Sequence, residues 1–328
     1  MVVKAANIPL AKQILTDLLQ AAKIQSMREI YNRVRPGPDG RIRTVLSPVA
    51  TITGRFASKG TFLEHSTNLQ NIPKKTAKLN PLFDIRTVMV PDPGTVLMEA
   101  DLSQAEARAT AAFSGDVKTL DLFESGADIH KVTAGMIFDV KPEAVSSTQR
   151  HLGKMARHAL NYGMGWKRFL EAVNSDADLT GVAINASTAR GIVESYHRAN
   201  GPLLRWWRSI EDAVRKQGYL ENPFGRKLVF IEKRDVNSAI AFLPQSTIAD
   251  HLNGRLRVIY DELDPDPFML LHQIHDAVLG QVSIRQWRSV ARRLRTLMEA
   301  PIQINSTSLL VPADVSVSSH SWGEMKEV

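Results

Sequence analysis

Asp276 constrains the fold of this chain more than any other residue. It stands within Leu270-Leu271-His272-Gln273-Ile274-His275-Asp276-Ala277-Val278-Leu279, an otherwise apolar run that reads as part of a hairpin from Phe268 to Val282. An ionised carboxylate in such a run is costly unless it is paired or ligated, so the fold has to bring a cation to it. A second acid, Asp101, ends the apolar strand Val96 to Ala100 just before a helix that begins near Gln104, which places its carboxylate at a rim. Two carboxylates at separate strand ends can hold a pair of Mg²⁺ ions about 3.5 to 4 Å apart, an arrangement suited to in-line phosphoryl transfer. The two acids lie too far apart in the chain for spacing to pair them. Taken singly, Asp101 also reads as a surface carboxylate before a helix and Asp276 as a hairpin-turn aspartate.

Around these acids the pattern is mixed. Ile8 to Arg35 carries Ile14, Leu18, Leu19, Ala22 and Ile30 at helical spacing and is closed by Pro36-Gly37-Pro38-Asp39-Gly40. Short β-branched and apolar runs at 41–53 and 88–100 predict strands, and 105–219 is mostly helical, with breaks at Pro142, at 174–181 and at Gly201-Pro202. Past Gly225 the pattern predicts a strand at 227–231 and a helix at 235–263. The hairpin follows, then a helix at 285–299 and a last strand near 309–317. The length of 328 residues and a hydrophobic content of 44% allow one large core or two modest ones.

Composition excludes more than it selects. The absence of cysteine rules out disulfides, cysteine-ligated zinc, iron–sulfur clusters and thiol nucleophiles. No apolar run reaches the ~20 residues that span a bilayer, and Met1 to Lys12 lacks the layout of a signal peptide, so a cytoplasmic protein without membrane contact is expected. The charge of +7, from 41 basic and 34 acidic residues, suits a polyanionic partner without requiring one.

Two further patterns bear on such a partner. Arg150, Lys154, His158 and Tyr162 recur every fourth residue after Ser146-Ser147-Thr148, which on a helix makes one cationic face ending in an aromatic. That face can bind a triphosphate and stack a base, or it can be a solvated basic surface. Ser103 and Glu106 form S-x-x-E, which reads locally as a capping box.

Four motifs in order carry a resemblance: Thr53-Gly54-Arg55 with Asn68-Leu69-Gln70-Asn71-Ile72-Pro73; Asp101-Leu102-Ser103-Gln104-Ala105-Glu106-Ala107-Arg108; Arg150, Lys154, His158 and Asn161-Tyr162-Gly163; and Gln273-Ile274-His275-Asp276. Together they resemble the primer-grip, A, B and C motifs of family A DNA polymerases, the bacterial DNA polymerase I and bacteriophage replicase type, from about Arg41 to Trp322. The resemblance implies that Asp101, Asp276 and the carbonyl of Leu102 are the metal ligands, for two Mg²⁺ with Mn²⁺ able to substitute. Position 277 is Ala where the family usually has Glu. Glu106, with Gln104 beside it, is implied to block a 2′-hydroxyl.

Motif B fits in two registers. One equates Lys154, His158 and Tyr162 with the family's Arg, Lys and aromatic residue, so that His158 would protonate the departing pyrophosphate and Tyr162 would mark acceptance of dideoxynucleotides. The other assigns the cationic roles to Arg150 and Lys154, one turn earlier. Trp166 stands near the family's second motif B tyrosine and is implied to cover the template base, and His130, in Asp128-Ile129-His130, to approach the nucleotide phosphates. Arg55, Asn68 and Gln70 are implied to touch the primer–template minor groove. Lys74, Lys75, Arg86 and Arg226 are expected at phosphates, and Gln245 and His275 near the primer end and active-site floor.

The implied architecture is α+β. A right-hand palm of antiparallel sheet with helices is expected at 41–108 and 235–328, a helical fingers insert at 109–234, and only a thumb-base remnant at 1–40. The implied function is template-directed addition of dNTPs to a primer 3′ end, with pyrophosphate released. Primer–template DNA and dNTPs are the expected partners, no proofreading exonuclease is expected, and a partner chain would supply processivity or a thumb. Two rivals differ in class. A single-subunit RNA polymerase would lack the Ser-Gln-x-Glu run, and a catalytically silent nucleic-acid-binding module would hold DNA without extending it.

Overall fold

The computed structural model describes residues 34–59, 67–72, 84–175, 177–230 and 236–328, together with helical positions scattered between 14 and 32. Lys74 and Lys75 lie outside the described residues. The N-terminal segment is helical wherever it is described, but Ile14, Leu18 and Ile24 face solvent, and Tyr31 packs against Leu69, Ile72 and Ile85.

A five-stranded antiparallel sheet holds the first core. After the small pair β1 (Val45–Ser47) and β2 (Ala57–Lys59) comes its central strand, β3 (Thr95–Leu102). In β3, Val96, Met98 and Ala100 point one way and Leu97, Glu99 and Asp101 the other, as the two-residue pleat requires. Nine helices follow among the described residues: α1 (Ala105–Ser114), α2 (Val117–Glu124), α3 (Ile129–Phe138), α4 (Ser147–Leu160), α5 (Trp166–Ser175), α6 (Ala186–Ala199), α7 (Gly201–Gln217), α8 (Val236–Leu263) and α9 (Trp287–Met298), besides a single turn at Ala177–Thr180. The remaining strands are β4 (Tyr219–Glu221), β5 (Lys227–Val229), β6 (Phe268–Ile274), β7 (Ala277–Ser283), β8 (Ile302–Ile304), β9 (Thr307–Leu309), β10 (Ala313–Ser318) and β11 (Lys326–Glu327).

The sheet order is β11-β10-β3-β7-β6. Its apolar face, with Met98, Ala100, Val278, Val282 and Val315, packs against Ile248, Leu252 and Ile259 of α8 and Leu294 of α9. Each of these side chains is almost wholly removed from water, and such burial stabilises by roughly 1.5–3 kcal/mol per large side chain. The opposite face is closed in part by Trp322, which packs with Leu97, Ile274 and Leu279.

The second core is helical and gathers Leu152, Leu160, Phe169, Ile192, Tyr196, Trp206 and Phe242 from α4 through α8. Gly153 is required here. A Cβ on it would lie 2.5 Å from the carbonyl oxygen of His130 and 2.9 Å from the backbone nitrogen of Ala134, so only glycine lets α3 and α4 approach this closely. Ser146 and Gln149 form a reciprocal capping box at the start of α4.

Several expected boundaries differ. The strand expected over 41–53 is only three residues long, because Ser47 to Ile52 turns back toward β2. The break expected at Gly201-Pro202 is present: α6 ends at Ala199 and α7 opens at Gly201, since proline tolerates the first helical turn. β5 falls within the strand expected at 227–231, but its partner β4 and the hairpin β8–β9 are not legible in the sequence; strands of three residues are too short to register as alternation.

Candidate active site at two adjoining clefts

Asp101 lies directly opposite Ala277 in the β3–β7 ladder, and the amide of Leu102 donates to the carbonyl of Asp276 at 3.1 Å. The β6–β7 turn lifts Asp276 out of the strand: His275 adopts φ 52°, left-handed backbone that redirects the chain for one residue. The turn therefore brings together the two acids that sequence spacing leaves apart. Both line each of two adjoining clefts. One, of about 480 Å³, is walled by Gln70, Arg86, Glu99, Ile274 and His275; the other, of about 300 Å³, by Gln104, Glu106, His158, Asn161 and Tyr162.

Arg55 crosses this junction. Its guanidinium donates to Oε1 of Glu106 and, at 3.2 Å, to Oδ1 of Asp276. Burial disfavours the Arg55 charge, but Glu106 and Asp276 outweigh it and hold the guanidinium above its ordinary pKa. Burial likewise pushes the Asp276 carboxyl up, against the downward pull of Arg55. Burial outweighs the pull of Arg55, and Asp276 is a desolvated acid beside a cation.

Glu106 collects donors. Besides Arg55 it accepts from the Tyr162 hydroxyl at 2.5 Å and from Nε2 of Gln245 at 3.5 Å. Burial, then the Glu106 charge, raises the Tyr162 phenol far above its usual range, which keeps its proton on the donor. The expected capping box does not form. The cap of α1 is Gln104, exposed at φ 51° with no side-chain cap bond, and Glu106 turns into the cleft instead.

The cationic face is realised in part. Arg150, Lys154 and His158 lie on α4, but the helix ends at Leu160, so Tyr162 sits in the following turn. Its phenol is held by Glu106 and does not extend the stripe as a free stacking tip. The Arg150 Nε donates to Asp128 at 2.6 Å, and Asp128 also caps α3, which sets His130 with its ring 5.8 Å from that of His158. Burial and then the charge of His158, with Arg150 and Lys154 beyond it, lower His130 to about 4. Burial and Lys154 also depress His158, so the proton-donor role expected of it does not suit the free protein at neutral pH.

On the other side, Gln70 accepts from the amide of Ser58 at 2.9 Å and donates at 3.1 Å to both the carbonyl and the side-chain oxygen of Gln273. It ties the 67–72 loop to β6. Asn68 closes the next turn by accepting from the amide of Asn71, and His275 is exposed at the cleft edge.

One arginine expectation is corrected, and two further expected residues have partners within the protein. Arg86 is 5% exposed, donates to the carbonyl of Ile72 and stacks 3.8 Å above the Trp322 ring, so it is a buried cation and not a surface phosphate contact. Arg226 makes a two-pronged pair with Asp250 and lies over Gly54, whose φ of 79° and missing Cβ leave it the room. Trp166 begins α5 under the guanidinium of Arg190, 4.2 Å from the ring centre, so one face of the indole is already covered.

Sequence reasoning missed Glu99. It is 6% exposed, accepts from the Trp322 indole at 2.8 Å and lines the larger cleft. The signal was available: like Asp276, it is an acid in an apolar strand. Among the described residues, no group of three or more His, Cys, Asp or Glu stands ready to hold a metal by itself, and no helix is long and apolar enough to cross a membrane.

Comparison with known proteins matches this geometry. The thermostable DNA polymerase I of Thermus aquaticus is 29% identical over 334 residues, covering 97% of this chain and 37% of the relative. A thermostable DNA polymerase I of Thermus thermophilus is 30% identical over 323 residues, covering 94% and 36%, and the DNA polymerase of Mycobacterium phage D29 is 26% identical over 319, covering 96% and 48%. The chain thus spans less than half the length of these relatives. A solved structure, the POL domain of Pol1 from M. smegmatis in complex with DNA primer-template and dNTP, superposes with a TM-score of 0.73 at 25% identity over 96% of this chain and 53% of that one. The sequence model of DNA polymerase family A matches residues 2–324, and the chain belongs to that family.

Proposed function

We propose that this chain adds deoxynucleotides to a primer 3′ end under the direction of a template. The observation that carries the reading is that Asp101 and Asp276 form the shared wall of two clefts, one suited to the primer end and one to the incoming nucleotide. The sheet half then acts as palm and the helical half as fingers. The donor set fits hard divalent cations: two carboxylates and a backbone carbonyl, at Asp101, Asp276 and Leu102, offer only oxygen, and Asp276 already sits against a cation in Arg55. Mg²⁺ ions held there, or Mn²⁺ in their place, supply Lewis-acid activation of the attacking hydroxyl and charge neutralisation at the leaving oxygen.

The protein's own groups do the positioning. Arg150, Lys154, His158 and His130 bind the triphosphate, and the lowered basicity of His158 supports the register in which Arg150 and Lys154 take the cationic roles. The Lys154 ammonium, not the His158 imidazole, hands a proton to the departing pyrophosphate. Glu106, braced by Tyr162 and Gln245, fills the space a 2′-hydroxyl would need, and Gln104 borders it on the same lip. In this reading Arg55, Asn68, Gln70 and His275 contact the primer end, and Trp166 covers the template base with its free face. Primer–template DNA and dNTPs are the substrates in this reading, and a partner chain adds processivity.

Primer extension with labelled dNTPs tests it. Asp101→Ala and Asp276→Ala should each abolish Mg²⁺-dependent extension while leaving DNA retention intact. Extension by either variant at the wild-type rate refutes the assignment, and retention without extension by the wild type favours a silent DNA-binding module.

A further inference from the structure

We propose that Glu99 is a positioning residue of this centre, supplying a third negative charge from the floor of the primer-side cleft. The inference rests on the two-carboxylate reading above and extends it. Glu99 precedes Asp101 by two residues on β3, so the pleat puts both side chains on one face of the sheet, about 7 Å apart along the strand. Asp101, Asp276 and Glu99 line the same cleft. The residue opposite Asp101 is Ala277, whose single methyl leaves the floor open on the diagonal from Glu99. A larger side chain at 277 would stand between Glu99 and the junction. Asp314, opposite Asp101 on the outer neighbour β10, is exposed and lines neither cleft.

Burial makes the position informative. A carboxylate 6% exposed in the central strand of a sheet is expensive to keep, and an apolar residue would serve the β3–β7 ladder better. The surroundings hold it in one orientation: the Trp322 indole donates to Oε2 at 2.8 Å, while the Arg86 guanidinium covers the face of the same ring. Glu99 is therefore fixed at the cleft floor by an indole edge, beside the charge of Arg86. Since no three acids among the described residues are grouped closely enough to chelate an ion together, Glu99 acts through the outer shell of a cation held by Asp101 and Asp276.

The rival explanation is that Glu99 only anchors Trp322, and with it the C-terminal segment, to the sheet. Glu99→Gln separates the two, because the amide oxygen still accepts from the indole while the charge is lost. Mn²⁺ binding to the free protein, read by electron paramagnetic resonance, should weaken about tenfold in Glu99→Gln. Trp322→Phe, which keeps the carboxylate but frees it from the indole, should weaken Mn²⁺ binding by less than Glu99→Gln does. Adding Ala277→Glu to Glu99→Gln should restore Mn²⁺ affinity, since it returns a carboxylate to the neighbouring position. Wild-type Mn²⁺ affinity in Glu99→Gln overturns the inference. Asp101→Asn and Asp276→Asn, measured beside it, identify which reading fails: retained Mn²⁺ binding in these two refutes the two-carboxylate centre itself, whereas loss in them with no change in Glu99→Gln refutes only the role of Glu99.

Discussion

Arg55 bridges two carboxylates that otherwise face each other, and Arg55→Met keeps most of its volume while removing the bridge. The side chains of Arg55, Glu106 and Asp276 are 26%, 23% and 21% exposed, closer to a buried network than to a surface pair. Removing one partner of a buried pair costs about 3–5 kcal/mol and breaking an exposed pair about 0–1, so a loss of ~2–3 kcal/mol is expected here. For a chain of 328 residues that lowers Tm by roughly 3–5 °C. The variant should also respond differently to Mg²⁺. In the wild type the guanidinium competes for Asp276, whereas in Arg55→Met the two acids have no such rival, so millimolar Mg²⁺ should raise the variant's Tm by more than the wild type's. Thermal unfolding followed by circular dichroism, with and without Mg²⁺, measures both effects. A variant Tm within about 1 °C of wild type, or an equal Mg²⁺ increment in both proteins, would show that Arg55 does not hold the charge of Asp276.

Three further outcomes are expected. Glu106→Ala should admit ribonucleotides, read as a rise of about tenfold or more in the ribo-to-deoxy incorporation ratio, and an unchanged ratio counts against the gate. His130 titrates near 4 in the folded protein, among His158, Arg150, Lys154 and Asp128. Between pH 6.5 and 4 the unfolded chain takes up a proton there that the folded chain refuses, so stability falls as pH is lowered through that window. His130→Gln should flatten that part of the urea-unfolding profile, and an imidazole titrating near 6.5 by NMR would refute the shift. Gly153→Ala forces a Cβ against His130 and Ala134 and should cost about 1–3 kcal/mol while loosening triphosphate binding, which a parallel Tm and dNTP-affinity measurement checks.

The legible parts of the fold share a physical cause. Val96 to Ala100 and Phe268 to Val282 carry apolar runs, 236–263 is a long segment of helix-compatible residues, and each appears within a few residues of its expected place. Arg86 shows the opposite case. Its charge predicts exposure, but the aromatic face of Trp322, more than two hundred residues away, provides a surface on which a buried guanidinium can rest. The S-x-x-E run at Ser103 predicts a cap by local rules, yet Arg55 and Tyr162 compete for Glu106 and win, because a charged bond inside a cleft is stronger than one at a solvated helix start.

The sequence alone determined which residues stand in costly or clustered positions, because the cost of placing an acid in an apolar strand, or three basic residues on one helix face, depends only on nearest neighbours in the chain. Which of those groups meet was decided by tertiary structure. The β3–β7 register and the left-handed turn at His275 join Asp101 to Asp276, and Arg55 arrives from a loop that no local pattern links to either. Electrostatic partnership depends on distance through space, and in a sheet whose central strands lie far apart in sequence that distance is set by packing.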